Sequence, residues 1–266
     1  MKMKMKMLFA AALMAALIPF APGQDNRLPE ASLDHEVNSR VPTQAEVPGK
    51  PPHKTQAPPT FCRPCLFYAG DFDSNASDAN GMANEVDLTV STGAAMYTPF
   101  IVPKGKTWTV TGLFTVNFMS TMTLDPRIIP YEVRKDIPKS GGSGGQLVCH
   151  GRKPGTLIDQ SSCEDFGFFC FATIVNTVKG CRLTSGKYWL SVVPYCTNQH
   201  DSNCTNGYRA FLSNDDGTMN HRFGPLEPAN DSFFNSVYFG ANWDPSSKWQ
   251  TSSRFSVGVE GTSTGR

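Results

Sequence analysis

The chain has 266 residues, 18% of them charged, with a formal net charge of +1 and with 18 Phe, 23 Gly and 20 Pro. That length accommodates one large domain together with segments outside it. Near-neutral charge, without a long charged block beyond the N-terminus, supplies no field to gather nucleic acid or an anionic membrane surface, so nucleic-acid binding is not expected.

Lys2, Lys4 and Lys6 precede an apolar run, Leu8 to Phe20, that is shorter than the roughly 20 residues a membrane-spanning helix needs. This is the pattern of a signal peptide over residues 1–23, with the small residues Ala21 and Gly23 placed for cleavage ahead of Gln24. The expected product is secreted, extracellular or periplasmic, and keeps no membrane span after cleavage. Residues 24–60 carry Pro29, Pro42, Pro48, Pro51, Pro52, Pro58 and Pro59 and almost no aromatic side chains. Such a segment cannot bury enough apolar area to offset its ordering entropy, so it is expected to be a disordered spacer before a single domain over residues 61–266. Export turns the eight cysteines into a disulfide question.

The domain opens with "FCRPC", Phe61 to Cys65. C-x-x-C pairs serve redox chemistry where they begin a helix, whose N-terminus stabilises the thiolate. No helical pattern follows here, so these cysteines are expected to tie down the leading edge of the domain. No second C-x-x-C or spaced His pair completes a zinc site. In the next stretch Asp71, Asp73, Asn75, Asp78 and Asn80 supply alternating hard oxygen ligands of the kind calcium takes. An EF-hand loop starting at Asp71 would need Gly and Glu where Ala76 and Met82 stand, and an Asx-rich turn is the alternative. Ca2+ is the only cofactor expected.

Strand patterns begin at Val86, Leu88 and Val90. Tyr97 to Val102 forms a second run, in which Pro99 implies a sheet edge. In "TWTVTGLFTVNFM", Trp108, Val110, Phe114, Val116 and Phe118 share one face, and Thr107, Thr109, Thr111, Thr115 and Asn117 the other. Gly112, on the apolar side, marks an expected bulge or a closely packed neighbour. Ile129, Tyr131 and Val133 point inward with Glu132 and Arg134 outward, and "SGGSGG" from Ser140 to Gly145 is expected to be a flexible loop. Phe166 to Val178 is a further strand. Leu183 to Tyr195 is expected to be the organising element: Tyr188, Leu190 and Val192 face one side and Trp189, Ser191 and Val193 the other, as in a strand covered on both faces. Tyr208 to Ser213, Phe233 to Gly240 and Arg254 to Glu260 complete the set, the last with Ser256 and Glu260 outward. The sequence predicts an all-β fold, an antiparallel β-sandwich of jelly-roll type.

An extended strand between Cys170 and Cys181 would span roughly 25 Å, far beyond the ~7 Å that bridged Cα atoms allow, and the next strand separates Cys181 from Cys196 in the same way. The expected bridges are Cys196 with Cys204, Cys149 with Cys163 or Cys170, and Cys181 with Cys62 or Cys65.

The phrases "GKYWLSVVP", "AFLSNDDG", "SFFNSVYFGANWDP" and "RFSVGVEG", after "YAGDFDSNASDANG", resemble a group of secreted bacterial β-sandwich proteins, some of which end in a membrane-sorting tail. The resemblance covers about Leu66 to Gly261 and implies the fold and export, with no functional residue to carry over.

No G-x-S-x-G elbow, H-E-x-x-H helix or P-loop occurs. His150, His200 and His221 lie in turn-like sequence, and Glu132, Glu164, Asp165, Glu227 and Asp231 are the carboxylates a glycosidase would draw on. Tyr238, Trp243 and Trp249 cluster near the C-terminus, where exposed rings would stack on sugars and enclosed rings would plug the end of the sandwich. The expected function is a non-catalytic extracellular or cell-surface module that binds a glycan or another surface component, stabilised by calcium. A secreted hydrolase working through carboxylates and a purely structural envelope protein are the alternatives.

Overall fold

The β-branched and aromatic runs fold as strands, as their fit to a pleated, half-buried surface requires. The computed structural model describes residues 58–70, 81–87, 92–119, 129–159, 169–176, 181–196, 209–211, 223–225, 232–237, 239–249 and 255–265. The expected signal peptide, nearly all of the expected spacer and the five candidate calcium ligands lie outside these residues, as do Cys163, Cys204 and Tyr238. The strands are β1 (Cys65–Tyr68), β2 (Gly81–Ala83), β3 (Glu85–Asp87), β4 (Thr92–Met119), β5 (Ile129–Lys135), β6 (Gln146–Lys153), β7 (Gly155–Asp159), β8 (Phe169–Asn176), β9 (Arg182–Val192), β10 (Tyr195–Cys196), β11 (Arg209–Phe211), β12 (Phe233–Ser236), β13 (Ala241–Pro245) and β14 (Val257–Thr264). One 3-10 turn, Ser246–Lys248, is the only helical element among the described residues. Every pairing is antiparallel except that of β3 with β10. The main path of neighbours runs β1, β14, β4, β9, β5, β6.

The organising element is β4, with β9 beside it. β4 pairs in turn with β3, β12, β9, β14, β8 and β11. Its turn-like residues do not break it. Pro99 pairs opposite Trp189 on β9, while β12 on the other side reaches no further than Tyr97, so the missing proline N–H costs no ladder bond there. Between Val102 and Thr107 the strand makes a bulge, with Gly105 at φ 78°, and pairing with β9 then resumes.

A second bulge revises the expected faces of β4. Gly112 pairs with Glu260 and Val110 with Gly261, leaving Thr111 as the extra residue, and the alternation inverts there. Trp108 and Val110 therefore share the main core with Leu113, whereas Phe114 and Val116 face a separate cluster with Cys62 and Tyr68. Thr115 and Asn117, expected outside, are buried. Asn117 meets Asn84, whose amide donates to its Oδ1 at 3.1 Å and to the Val192 carbonyl at 2.9 Å while its own Oδ1 accepts the Met96 N–H at 3.2 Å. This one buried amide pins two separated parts of β4 to the end of β9.

β9 is covered on both faces as its sequence implies. Tyr188, Leu190 and Val192 enter the main core, and Trp189 and Val193 join a cluster with Ala95, Tyr97, Ile137, Phe233 and Trp243. Phe100 centres the main core, stacked on Phe67, Trp108 and Tyr188 with ring centroids 6.0, 6.0 and 5.8 Å apart. Phe233 to Gly240 is not one strand: β12 ends at Ser236 and a turn closed by the Gly240 N–H on the Val237 carbonyl leads into β13.

Two disulfides lie among the described residues, Cys62–Cys65 and Cys149–Cys181. The second corrects the expected partners of both its cysteines: Cys149 does not pair with Cys163 or Cys170, nor Cys181 with Cys62 or Cys65. Cys149 is the inward residue of β6 and Cys181 sits just ahead of β9, and both are buried in the main core, 5.6 Å apart at Cα. The leading cysteines are satisfied by each other. The exclusion of Cys181 from Cys170 holds, because β8 carries Cys170 away from that end of the sheet.

Candidate functional site

The polar face of β5 holds a buried cluster. Alternation sends Glu132 and Arg134 away from the main core as expected, but they are 6% and 2% exposed because a second layer covers them. Glu132 lies between Ser191 of β9 and His150 of β6. Its Oε2 accepts from the Tyr97 hydroxyl at 2.9 Å and from the Arg134 Nε at 2.6 Å. Burial, and then the Glu132 charge, push the Tyr97 phenol well above its usual pKa. The Arg134 guanidinium sits 4.6 Å over the Trp243 ring and 5.9 Å from that of Tyr97, and donates to the Gly144 carbonyl at 3.3 Å.

Trp243 and the glycine-rich loop close this cluster. Trp243 is 4% exposed with φ +55°, a left-handed conformation that is unusual for a bulky residue, and its ring lies 4.4 Å from that of Tyr97. Ser140 to Gly145, expected to be flexible, packs against it. A Cβ on Gly144 would come within 2.5 Å of the Trp243 ring and 2.7 Å of an Arg134 nitrogen, and Gly142 and Asn242 exchange hydrogen bonds across the seam. Trp243 is enclosed by Tyr97, Arg134 and the glycine loop, so it offers no sugar-stacking platform. Glu132, one of the five carboxylates a glycosidase would draw on, is likewise bound to its neighbours as an internal acceptor, and Glu164, Asp165, Glu227 and Asp231 lie outside the described residues.

The other candidate ring is placed differently. Trp249 follows the 3-10 turn and is half-buried against Phe234 and Phe239, with ring centroids 5.5 and 6.4 Å away. Phe239 is half-buried too, and Val237, two residues earlier, is 45% exposed. Val237 and Phe239 thus lie in the turn between β12 and β13, and Trp249, beyond β13, packs on Phe239, both rings resting against the main core and the Trp249 Nε1 buried. Sequence reading selected Trp249 but not its companions; the signal was Gly240, whose turn converts a supposed strand into a hairpin.

A third locus joins the leading segment to β14. Glu260, expected outward, is 9% exposed because β1 lies over it, Cys65 being its cross-strand partner. Its Oε1 accepts the Arg63 N–H at 2.9 Å, its side chain lies across Gly112, and the Gly261 N–H donates to the Pro64 carbonyl at 2.9 Å. Burial raises the Glu260 carboxyl above its usual pKa, and the Arg63 hydrogen bond opposes this in part. Ser256, also expected outward, is buried between the Tyr68 hydroxyl and the Gly70 carbonyl.

Among the described residues no three His, Cys, Asp or Glu side chains gather as a metal site, and no helix is long and apolar enough to cross a membrane. No protein-family model matches the chain, and no curated protein matches its sequence.

Proposed function

We propose that the chain is an exported, non-catalytic β-sandwich module that binds a glycan or another surface component through the β12–β13 end. The observation that carries this reading is the half-buried ring pair Phe239 and Trp249, with exposed Val237 in the same turn as Phe239. Flat rings with a free edge or face at a surface bind the apolar faces of sugars, and such a patch is otherwise costly to leave in water. Other polar groups are turned to one another: Glu132 and Arg134 pair with each other, and Cys149 is bridged to Cys181 within the main core. Calcium, if bound at Asp71, Asp73, Asn75, Asp78 and Asn80, would stiffen the segment that follows β1.

Pull-down on insoluble polysaccharides tests the reading. Trp249→Ala should abolish retention of the mature protein while leaving its far-ultraviolet dichroism unchanged. Retention that survives this change removes the platform, and release of soluble sugars would favour a hydrolase instead.

A further inference from the structure

The C-R-P-C motif lies apart from the proposed binding surface, whose role is non-catalytic, and the chemistry proposed for it is a second, stoichiometric activity beside that role. Its two cysteines differ in burial. Cys62 is 1% exposed, with Sγ 3.9 Å from the Val259 carbonyl oxygen, whereas Cys65 is half-buried and Arg63 and Pro64 form an exposed tip. The Cys149–Cys181 bridge, by contrast, lies wholly within the main core. We propose that Cys62–Cys65, with Glu260 beside it, is a thiol–disulfide exchange centre that oxidises a dithiol peptide of an exported protein.

An incoming thiolate meets Cys65, the less buried of the two cysteines. It forms a mixed disulfide there, the Cys62–Cys65 bond breaks, and its electron pair leaves on the Cys62 sulfur. The second thiolate of the peptide then attacks its own sulfur in the mixed disulfide and releases Cys65. The peptide dithiol is oxidised to a disulfide, the protein bridge is reduced to two thiols, and the two protons lost by the peptide end on Cys62 and Cys65. No helix N-terminus stabilises the departing thiolate, since β1 begins at Cys65 itself. A proton donor beside the bridge takes over that task.

Glu260 lies on the neighbouring strand opposite Cys65 and is hydrogen-bonded to the four-residue loop that carries both sulfurs. Directly opposed residues of an antiparallel pair share a face, with Cβ atoms about 4.5–5.5 Å apart, and Cys65 and Glu260 are such a pair. The Arg63 N–H, within the same four-residue loop, holds the carboxyl in place. Gly112 opposite on β4 has no side chain and leaves room for it, and a Cβ there would meet its Oε2. The charged groups of the packed elements are few. Arg63 contributes an exposed guanidinium that attracts a thiolate, and Lys106 on β4 is engaged with the Gly265 carbonyl at the far end of β14. Burial favours the protonated carboxyl, so a proton is available closer to neutrality than for an ordinary glutamate.

The test uses the full mature chain and a synthetic peptide carrying two reduced cysteines. The peptide should become oxidised one-for-one with protein, and alkylation mapping should find new thiols at Cys62 and Cys65 with Cys149–Cys181 intact. Cys62→Ser should abolish the transfer. Glu260→Gln keeps the acceptor for the Arg63 N–H but carries no proton to give, so it should slow transfer near neutral pH by roughly 100-fold and flatten its pH profile. Peptide left reduced after prolonged incubation, or thiols appearing equally at Cys149 and Cys181, overturns the centre. An unchanged pH profile in folded Glu260→Gln overturns its chemistry, and should that variant not fold, the mapping on the unaltered protein decides.

Discussion

Arg134 is a cation placed inside the protein without access to bulk water, and its environment answers each of its needs: a carboxylate, a carbonyl and two aromatic faces. Removing one member of such a pair costs more than removing both, because the survivor keeps its buried charge. Arg134→Met should destabilise the domain by about 3–5 kcal/mol in urea denaturation, and the double change with Glu132→Gln should recover part of that loss. A fully additive double variant would show that the pair is not coupled. Glu260 yields a pH prediction of opposite character. Its folded pKa is raised, so its contribution is present at pH below the unfolded value and is lost as pH rises through the folded one. The stability of Glu260→Gln relative to the native chain should therefore increase on going from acid to neutral pH. At this scale the sequence was only half informative. Parity correctly turned Glu132, Arg134 and Glu260 away from the main core, but parity is silent on whether a second layer covers the face they enter.

Elements were easier to foresee than their continuity. Most strands lie where β-branched and aromatic runs place them, β9 with both faces covered and β14 with Val257 and Val259 inward. What failed were the breaks. Pro99 and the Pro103 to Lys106 stretch resemble punctuation, yet β4 runs through both because a bulge and a one-sided pairing absorb them. Gly112 was legible as a bulge; that it would send Phe114 and Val116 to a different cluster depends on β1 lying beyond, which no local pattern encodes. The glycine loop gives the sharpest test at this scale. Gly142 has open space around its missing Cβ but φ +80°, so Gly142→Ala should cost about 1–2 kcal/mol through backbone conformation alone. Gly144 is crowded by the Trp243 ring and Arg134, and Gly144→Ala should cost about 1–3 kcal/mol through overpacking and also change Trp243 fluorescence. If both variants melt like the native chain, with unchanged fluorescence, the loop does not seal the cluster.

At the scale of the whole molecule, the two bridges among the described residues have unequal reach. Pairing could not be read from the cysteine spacing, since Cys149 and Cys181 meet only because β5 and β9 pair and carry β6 alongside. Their unequal loops fix unequal consequences. In the chain-entropy account the stabilisation grows with the logarithm of the closed loop. Cys149–Cys181, with a sequence separation of 32, should then contribute roughly 4 kcal/mol, and Cys62–Cys65, with a separation of 3, only roughly 2 kcal/mol. Burial widens the difference. Replacing Cys149 and Cys181 by Ala also removes two sulfurs from the main core and leaves a cavity between β6 and the start of β9, whereas replacing Cys62 and Cys65 loosens the leading segment on β14. The Cys149→Ala/Cys181→Ala double variant should lower the melting temperature of the entire domain by the larger amount, in a single transition. The Cys62→Ala/Cys65→Ala variant should leave the main transition nearly in place and expose the chain near Phe61 to protease. Equal losses of melting temperature from the two variants would mean that the leading segment is as integral to the core as β6, and that the clasp over Glu260 does not open independently.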